Sequence, residues 1–266
     1  MKQKYILKNT YPSLSFYPMQ TALPPLVHMC VDGYASDILS LRDESLLREY
    51  FSTVNTAAFR HILYYPDDQH IDMEGVTGCL LAPGMHATVH TYTNDKKKCF
   101  FLDFFNFEEK FRPALSTLDT AYKTKYSLQH TLVRSQLEYA HGVEHANNPR
   151  IYGPHLMAEG QLSGAASLQD IKDTIIHYLE EIPAQIDMHP LTEVFHTESD
   201  TWISALRVIA ESHISLHYHI PSQSLFVDIF SCKPFDKEKA VILLKKSFSF
   251  TSYTQCILER GLHFPR

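Results

Sequence analysis

The chain contains a repeat of itself, and that limits the folds open to it more than any other feature. His28-Met29-Cys30-Val31-Asp32-Gly33 returns as His155-Leu156-Met157-Ala158-Glu159-Gly160, and at the same shift of 127 residues Ser36, Ser40, Leu41 and Asp43 meet Ser163, Ser167, Leu168 and Asp170. The shift goes on to pair Thr77 with Ser204, His86 with His213 and His90 with His217. It then becomes 125, aligning Leu102-Asp103-Phe104-Phe105 with Val227-Asp228-Ile229-Phe230. An offset held across so many positions indicates two copies of one supersecondary unit.

Each copy reads in the same way. An apolar strand (26–31, 155–158) leads to an amphipathic helix (41–51, 168–182) with apolar residues at helical spacing. Two β-rich segments joined by a polar turn follow (77–90 with 99–105, 202–217 with 225–230), and then a second helix (108–122, 236–246). Strand, helix, hairpin, helix is an α+β pattern in which helices cover one face of a mostly antiparallel sheet. Gly142, Asn147, Asn148, Pro149 and Gly153 mark 134–154 as a linker. The predicted modules are 25–133 and 155–266, with residues 1–24 unassigned.

Composition excludes several function classes. With 24 basic against 30 acidic residues the net charge is -6, which argues against nucleic-acid or membrane-surface partners recruited by bulk charge. Five cysteines without a CxxC pair suit a reducing compartment. The N-terminal residues have no continuous apolar stretch of signal-peptide type, and no 18-residue apolar run occurs. The expected location is the cytoplasm, and the expected partner is a small molecule. Further self-association of the chain stays open.

The two copies differ where chemistry would reside. The second carries Ser212 and Cys232 where the first has Met85 and Phe107, and Glu211 where the first has Gly84. The set Ser204, Ser212, His217 and Cys232 resembles, in residue type and joint spacing, the processing and catalytic segment of the bacterial S-adenosylmethionine decarboxylases. The resemblance implies a four-layer α/β/β/α sandwich of two homologous modules, fused here in one chain. It also implies a proenzyme that cuts itself between Glu211 and Ser212. The Ser212 hydroxyl attacks the Glu211 carbonyl, and β-elimination from the resulting ester leaves a covalent pyruvoyl cofactor. That ketone forms a Schiff base with a substrate amine and accepts the electrons released as carbon dioxide leaves. By the same resemblance His217 and Ser204 assist, and Cys232 returns a proton. Methionine cannot make the acyl shift, so one active site is expected, in the second copy.

Strand geometry adds a condition. Alternate residues share a face, so His213, Ser215 and His217 point one way while Ser212, Ile214 and Leu216 point the other. Ser212 can meet His217 only if the strand is interrupted, and a break is expected at Glu211-Ser212. His213 and His217 have zinc-ligand spacing only on a helix, so no metal is expected from this strand-like segment.

Substrate identity is less constrained. In the family, tryptophan and glutamate after the matching histidine hold the adenosyl group; here those places are taken by His219 and Pro221, and the place of an adenine-stacking phenylalanine by Glu198. The leading reading is decarboxylation of S-adenosylmethionine to the aminopropyl donor of spermidine synthesis, with Glu198 and His219 as substrate-contact candidates. A pyruvoyl-dependent decarboxylase of arginine or ornithine is an alternative, with Glu198 receiving the cationic side chain. A non-catalytic partner of an active decarboxylase is another.

Overall fold

A computed structural model describes residues 26–54, 59–65, 75–93, 98–107, 116, 120–134, 137, 153–164, 166–210 and 212–261. The first copy forms β1 (Leu26–Ala35), α1 (Ile38–Arg42), α2 (Glu44–Val54), β2 (Phe59–Tyr65), β3 (Gly75–Ala82), β4 (Met85–Tyr92), β5 (Cys99–Phe107) and β6 (Thr124–Arg134). The second forms β7 (Gly153–Leu162), α3 (Leu168–Gln185), β8 (Phe195–Glu198), β9 (Trp202–Ile209), β10 (Ser212–His219), β11 (Ser224–Ser231), α4 (Lys237–Ser247) and β12 (Phe250–Arg260).

The strands make two six-stranded sheets, ordered β2-β3-β4-β5-β1-β6 and β12-β7-β11-β10-β9-β8, with every pairing antiparallel. The second order is the first with each strand replaced by its repeat, so the duplication survives as a pseudo-two-fold. Strand alternation divides each sheet into a helix face and an interface face. On the helix face of the second sheet, Leu156, Ala158, Ile214, Leu216, Val227 and Ile229 pack under Ile171, Ile175, Leu179 and Leu244. Val27, Met29, Val31, Ala87, Val89 and Leu102 pack equivalently against Leu41, Leu47, Tyr50 and Phe51. The opposite faces of the two sheets meet each other, which gives the expected sandwich.

Helix starts follow capping chemistry. Ser167 and Asp170 form a capping box that fixes the N-terminus of α3. In the first copy the helix expected over 41–51 is two pieces. Asp37 caps α1, and Asp43 then stops it and accepts from Ser45 N and Oγ at the start of α2. The helix expected over 108–122 falls mostly outside the described residues. Four strands had no sequence counterpart: β2, β6, β8 and β12. Arg134, assigned to the linker from sequence, is the last residue of β6 and is fully buried.

Candidate active site at the sheet interface

The interface between the sheets is unusually polar, and its polar groups come in mirrored pairs. Arg134 leaves β6 and enters the other sheet, where Nε donates to Glu159 Oε2 (3.0 Å), Nη1 to Asp228 Oδ1 (2.7 Å), and Nη2 to Ala158 O (2.8 Å) and Val227 O (3.4 Å). Arg260, at the end of β12, does the reverse. It donates to Asp32 Oδ1, to Asp103 Oδ1 (2.7 Å), and to Val31 O (3.1 Å) and Leu102 O (3.2 Å). Buried charges persist when paired and saturated with hydrogen bonds, and this exchange of arginines fixes one sheet against the other. The buried guanidiniums hold Asp103 and Asp228 ionised: although burial opposes it, Arg260 and Arg134 keep their carboxyls well below the usual range.

Two histidine pairs lie farther along the same interface. In one, His90 Nδ1 is 3.0 Å from Thr77 Oγ1 and its Nε2 is 3.0 Å from His213 Nδ1, which Thr88 Oγ1 also approaches at 3.3 Å. In the other, His217 Nδ1 is 2.8 Å from Ser204 Oγ and its Nε2 is 2.7 Å from His86 Nδ1, which Ser215 Oγ approaches at 3.3 Å. These are the duplication partners, atom for atom. Burial lowers all four imidazoles, His86 to about 4, His90 to about 3, and His213 and His217 well below the ordinary value. They are uncharged at neutral pH and, by the same shift, weaker bases than a free imidazole.

The family-implied residues are therefore distributed differently from the grouping expected from sequence. Ser212 opens β10, opposite Ile209 and Ser231, so the strand does begin at the serine; Glu211 itself lies outside the described residues. From Ser212 to His217 the register is continuous on both sides with no bulge. Five residues of unbroken strand separate the two by about 16 Å. Ser204 stays with His217, and its Oγ accepts from Gly84 N at 2.8 Å. Gly84-Met85 is the first-copy counterpart of Glu211-Ser212, so Ser204 and His217 attend the degenerate turn. The expected contact of Ser212 with His217 is corrected on this ground: the pseudo-two-fold brings His217 to the first copy's turn and His90 to the second copy's, while His86 and His213 stay at their own.

What stands beside Ser212 is His213, its Nδ1 3.5 Å from Ser212 Oγ, and through it His90 and Thr77 of the first copy. Cys232 directly follows Ser231, the register partner of Ser212, and packs with Tyr34, Tyr92, Cys99, Phe101 and Phe230. The structure thus brings Ser212 and Cys232 to one corner, and His217 and Ser204 to the mirrored one. His90 and Thr77 had a signal in the sequence, since the repeat pairs them with His217 and Ser204. That signal shows homology but not which sheet edge each residue faces.

The tentative substrate contacts are also elsewhere. Glu198, in edge strand β8, is exposed and pairs with Lys172 Nζ at 3.0 Å, so its charge is already matched. His219 bonds Ser222 and lies beside Trp202, in the mirrored corner.

Comparison with known proteins agrees with the repeat. A family model described as S-adenosylmethionine decarboxylase matches residues 27–135 and 154–261. An S-adenosylmethionine decarboxylase proenzyme of Archaeoglobus fulgidus is 29% identical over 113 residues, 42% of this chain and 99% of the relative. A proenzyme of the same name from Clostridium botulinum, strain Langeland, is 32% identical over 77 residues, 29% of this chain and 66% of the relative. A crystal structure of adenosylmethionine decarboxylase from Aquifex aeolicus is similar at 20% identity and a TM-score of 0.36, over 44% of this chain and 96% of that one. Among the described residues no helix is long and apolar enough to cross a membrane.

Proposed function

Because the chain belongs to the S-adenosylmethionine decarboxylase family, we propose that it is a self-processing carboxy-lyase that converts S-adenosylmethionine to the aminopropyl donor of spermidine synthesis. The observation that carries this reading is the asymmetry of two otherwise mirrored corners. A serine opens the strand beside the His213–His90 pair, whereas methionine occupies the equivalent place beside His86–His217.

In this reading the active corner is shared between the copies. Ser212 supplies the nucleophile, and its Oγ adds to the Glu211 carbonyl carbon as the C–N bond breaks. His213 Nδ1 is the nearest acceptor for the hydroxyl proton. His90 orients that ring, and Thr77 holds His90. Elimination from the ester then frees a new carboxylate at Glu211 and leaves dehydroalanine at 212, whose imine tautomer takes up water and releases ammonia to become the ketone. The residues present fit the pyruvoyl group that the family uses. Ser212 is its source, deeply buried, and Cys232 is a half-buried thiol at the same end of the sheet. When formed, that group supplies an electron sink for decarboxylation. Cys232 delivers a proton to the substrate carbon, while Tyr92, Phe101 and Phe230 keep water from it. Glu198, the residue offered to a cationic arginine or ornithine side chain, is engaged by Lys172, so nothing favours that alternative.

Intact-mass measurement tests the reading. The purified protein should appear as chains of 211 and 55 residues, the two parts of 266, and Ser212→Ala as one uncut chain. Carbon dioxide release from S-adenosylmethionine, but not from arginine or ornithine, identifies the substrate. Cleavage that survives in Ser212→Ala removes the proposed nucleophile.

A further inference from the structure

Across the interface β5 and β11 run in opposite directions, and their facing side chains pair in sequence. The rings of Phe105 and Phe226 stand 5.5 Å apart and those of Phe101 and Phe230 5.3 Å apart. Between them Asp103 and Asp228 are joined through His28 and His155. Each step of two residues down one strand is matched by two residues up the other. The next step beyond Phe101 and Phe230 sets Cys99 opposite Cys232.

Packing agrees with that register. Cys99 lies between Tyr34 and Tyr92 in its own sheet, and Cys232 packs against the cluster to which all three belong. Of the five cysteines Cys232 alone is not buried, so a reagent from solvent meets it first, with Cys99 deeper. The repeat puts Ser224 in the place of Cys99 and Phe107 in that of Cys232. The mirrored corner therefore has no thiol pair.

We propose that Cys99 and Cys232 are an oxidisable pair, modified by a small disulfide such as oxidised glutathione. The Cys232 sulfur attacks one sulfur of that reagent, forms a mixed disulfide and releases one glutathione as its thiol. The Cys99 sulfur then attacks the Cys232 sulfur, and the second glutathione leaves as its thiol. The two protein protons end on the two glutathiones, the reagent is reduced, and the pair becomes a disulfide. Facing sheets stand about 10 Å apart, farther than the Cα separation of about 4.4–6.8 Å that a disulfide spans. Cys232 lies one residue beyond the end of β11, so its own segment, and not the sheet, closes the gap. In a reducing compartment such a bond is transient. Its effect on activity rests on Cys232 as the proton donor of the proposed reaction: the bridge withdraws that proton. It also joins the two chains that self-cleavage leaves.

The test treats the full wild-type protein with oxidised glutathione, blocks the remaining thiols with N-ethylmaleimide, and reads peptide and intact masses. Wild type should give peptides joined through Cys99 and Cys232, carry no glutathione there, and separate with dithiothreitol. Cys99→Ser and Cys99→Ala should instead keep one glutathione on Cys232, while Cys256→Ala should bridge as wild type does. Carbon dioxide release from S-adenosylmethionine should fall by about 10²-fold or more in the bridged protein and return on reduction. Wild type that holds glutathione on Cys232 while Cys99 takes the maleimide overturns the proposal. So does a wild type with maleimide on both, or a bridge from Cys232 to any other cysteine. An uncut chain that bridges supports the pair and counts against self-cleavage. A bridged protein of undiminished rate supports the modification site and removes Cys232 as the proton donor.

Discussion

The two mirrored corners of the interface began as the same structure, and one has been closed while the other was kept. In the closed corner Trp202 lies over the Pro83-Gly84 turn, where a Cβ on Gly84 would come within 2.6 Å of the indole. Phe105 stacks on His217 at 4.5 Å, and Leu26, Phe105, Trp202 and Phe226 fill the remaining space. In the kept corner the repeat places Gly75 at the position of Trp202, and Phe230 lies 6.0 Å from His90 without stacking. Tyr34 and Cys232 there are only partly buried. Where methionine stands in place of the serine, aromatic packing fills the corner. The hydrogen-bonded histidine pairs persist on both sides because an unpaired buried imidazole would destabilise the interface wherever it stood.

The sharpest way to break this comparison is to exchange histidines. His90→Ala should slow self-cleavage or decarboxylation by about 10²–10⁴-fold, the usual value of a positioned proton-transfer group, while His217→Ala should change either rate far less. Rate measurements on the two variants decide the matter, and a larger loss in His217→Ala would return the active corner to the second copy alone.

The arginine exchange should be symmetric where the histidines are not. Arg134→Met and Arg260→Met each leave buried carboxylates without a partner, so each should cost about 3–5 kcal/mol in denaturant unfolding. A large difference between them would mean that one arm of the clasp carries the interface.

Acid should weaken both corners together. The unfolded histidines take up protons near 6.5, whereas burial holds His86 at about 4 and His90 and His155 at about 3. Stability is therefore lost as pH falls from 6.5 towards 4, by about 2 kcal/mol per such histidine at pH 5. His28 behaves in the opposite sense. Burial would lower it, but Asp228 raises it well above its usual value, so its contribution is complete below 6.5 and offsets none of this loss. Thermal melts at pH 7 and pH 5 should show His90→Gln and His217→Gln losing less stability than wild type, and by similar amounts. The smallest effect is expected at Glu198, an exposed member of an ion pair. Glu198→Ala should shift stability by about 0.2–1 kcal/mol and leave decarboxylation unchanged.

The main elements were legible because their causes are local. Near-continuous apolar runs at 26–31 and 225–230 specify strands buried on both faces, and Ser167 with Asp170 marks the start of a helix. Edge strands β2 and β8 lack that signal. β6 and β12 were missed because their exposed or half-buried residues, such as Thr251, Ser252 and Tyr253, carry little periodic contrast. Arg134 read as linker because a charged residue beside a polar stretch is ordinarily solvated, and nothing local identifies it as an anchor between sheets.

The sequence by itself determined that there are two copies, that their sheets are antiparallel, and that Ser212 has only Met85 as its counterpart in the first copy, since residue identity and spacing are properties of the chain. The tertiary structure decided which residues act together. Facing two repeats across a pseudo-two-fold sends His90 and His217 to the opposite copy's turn, so Ser212 has His213 and, through it, His90 beside it, while His217 attends Gly84-Met85. Separation along a strand grows by about 3.3 Å per residue, whereas the gap between facing sheets is a single hydrogen bond wide at His90–His213. Only the packed sandwich brings that second contact into being.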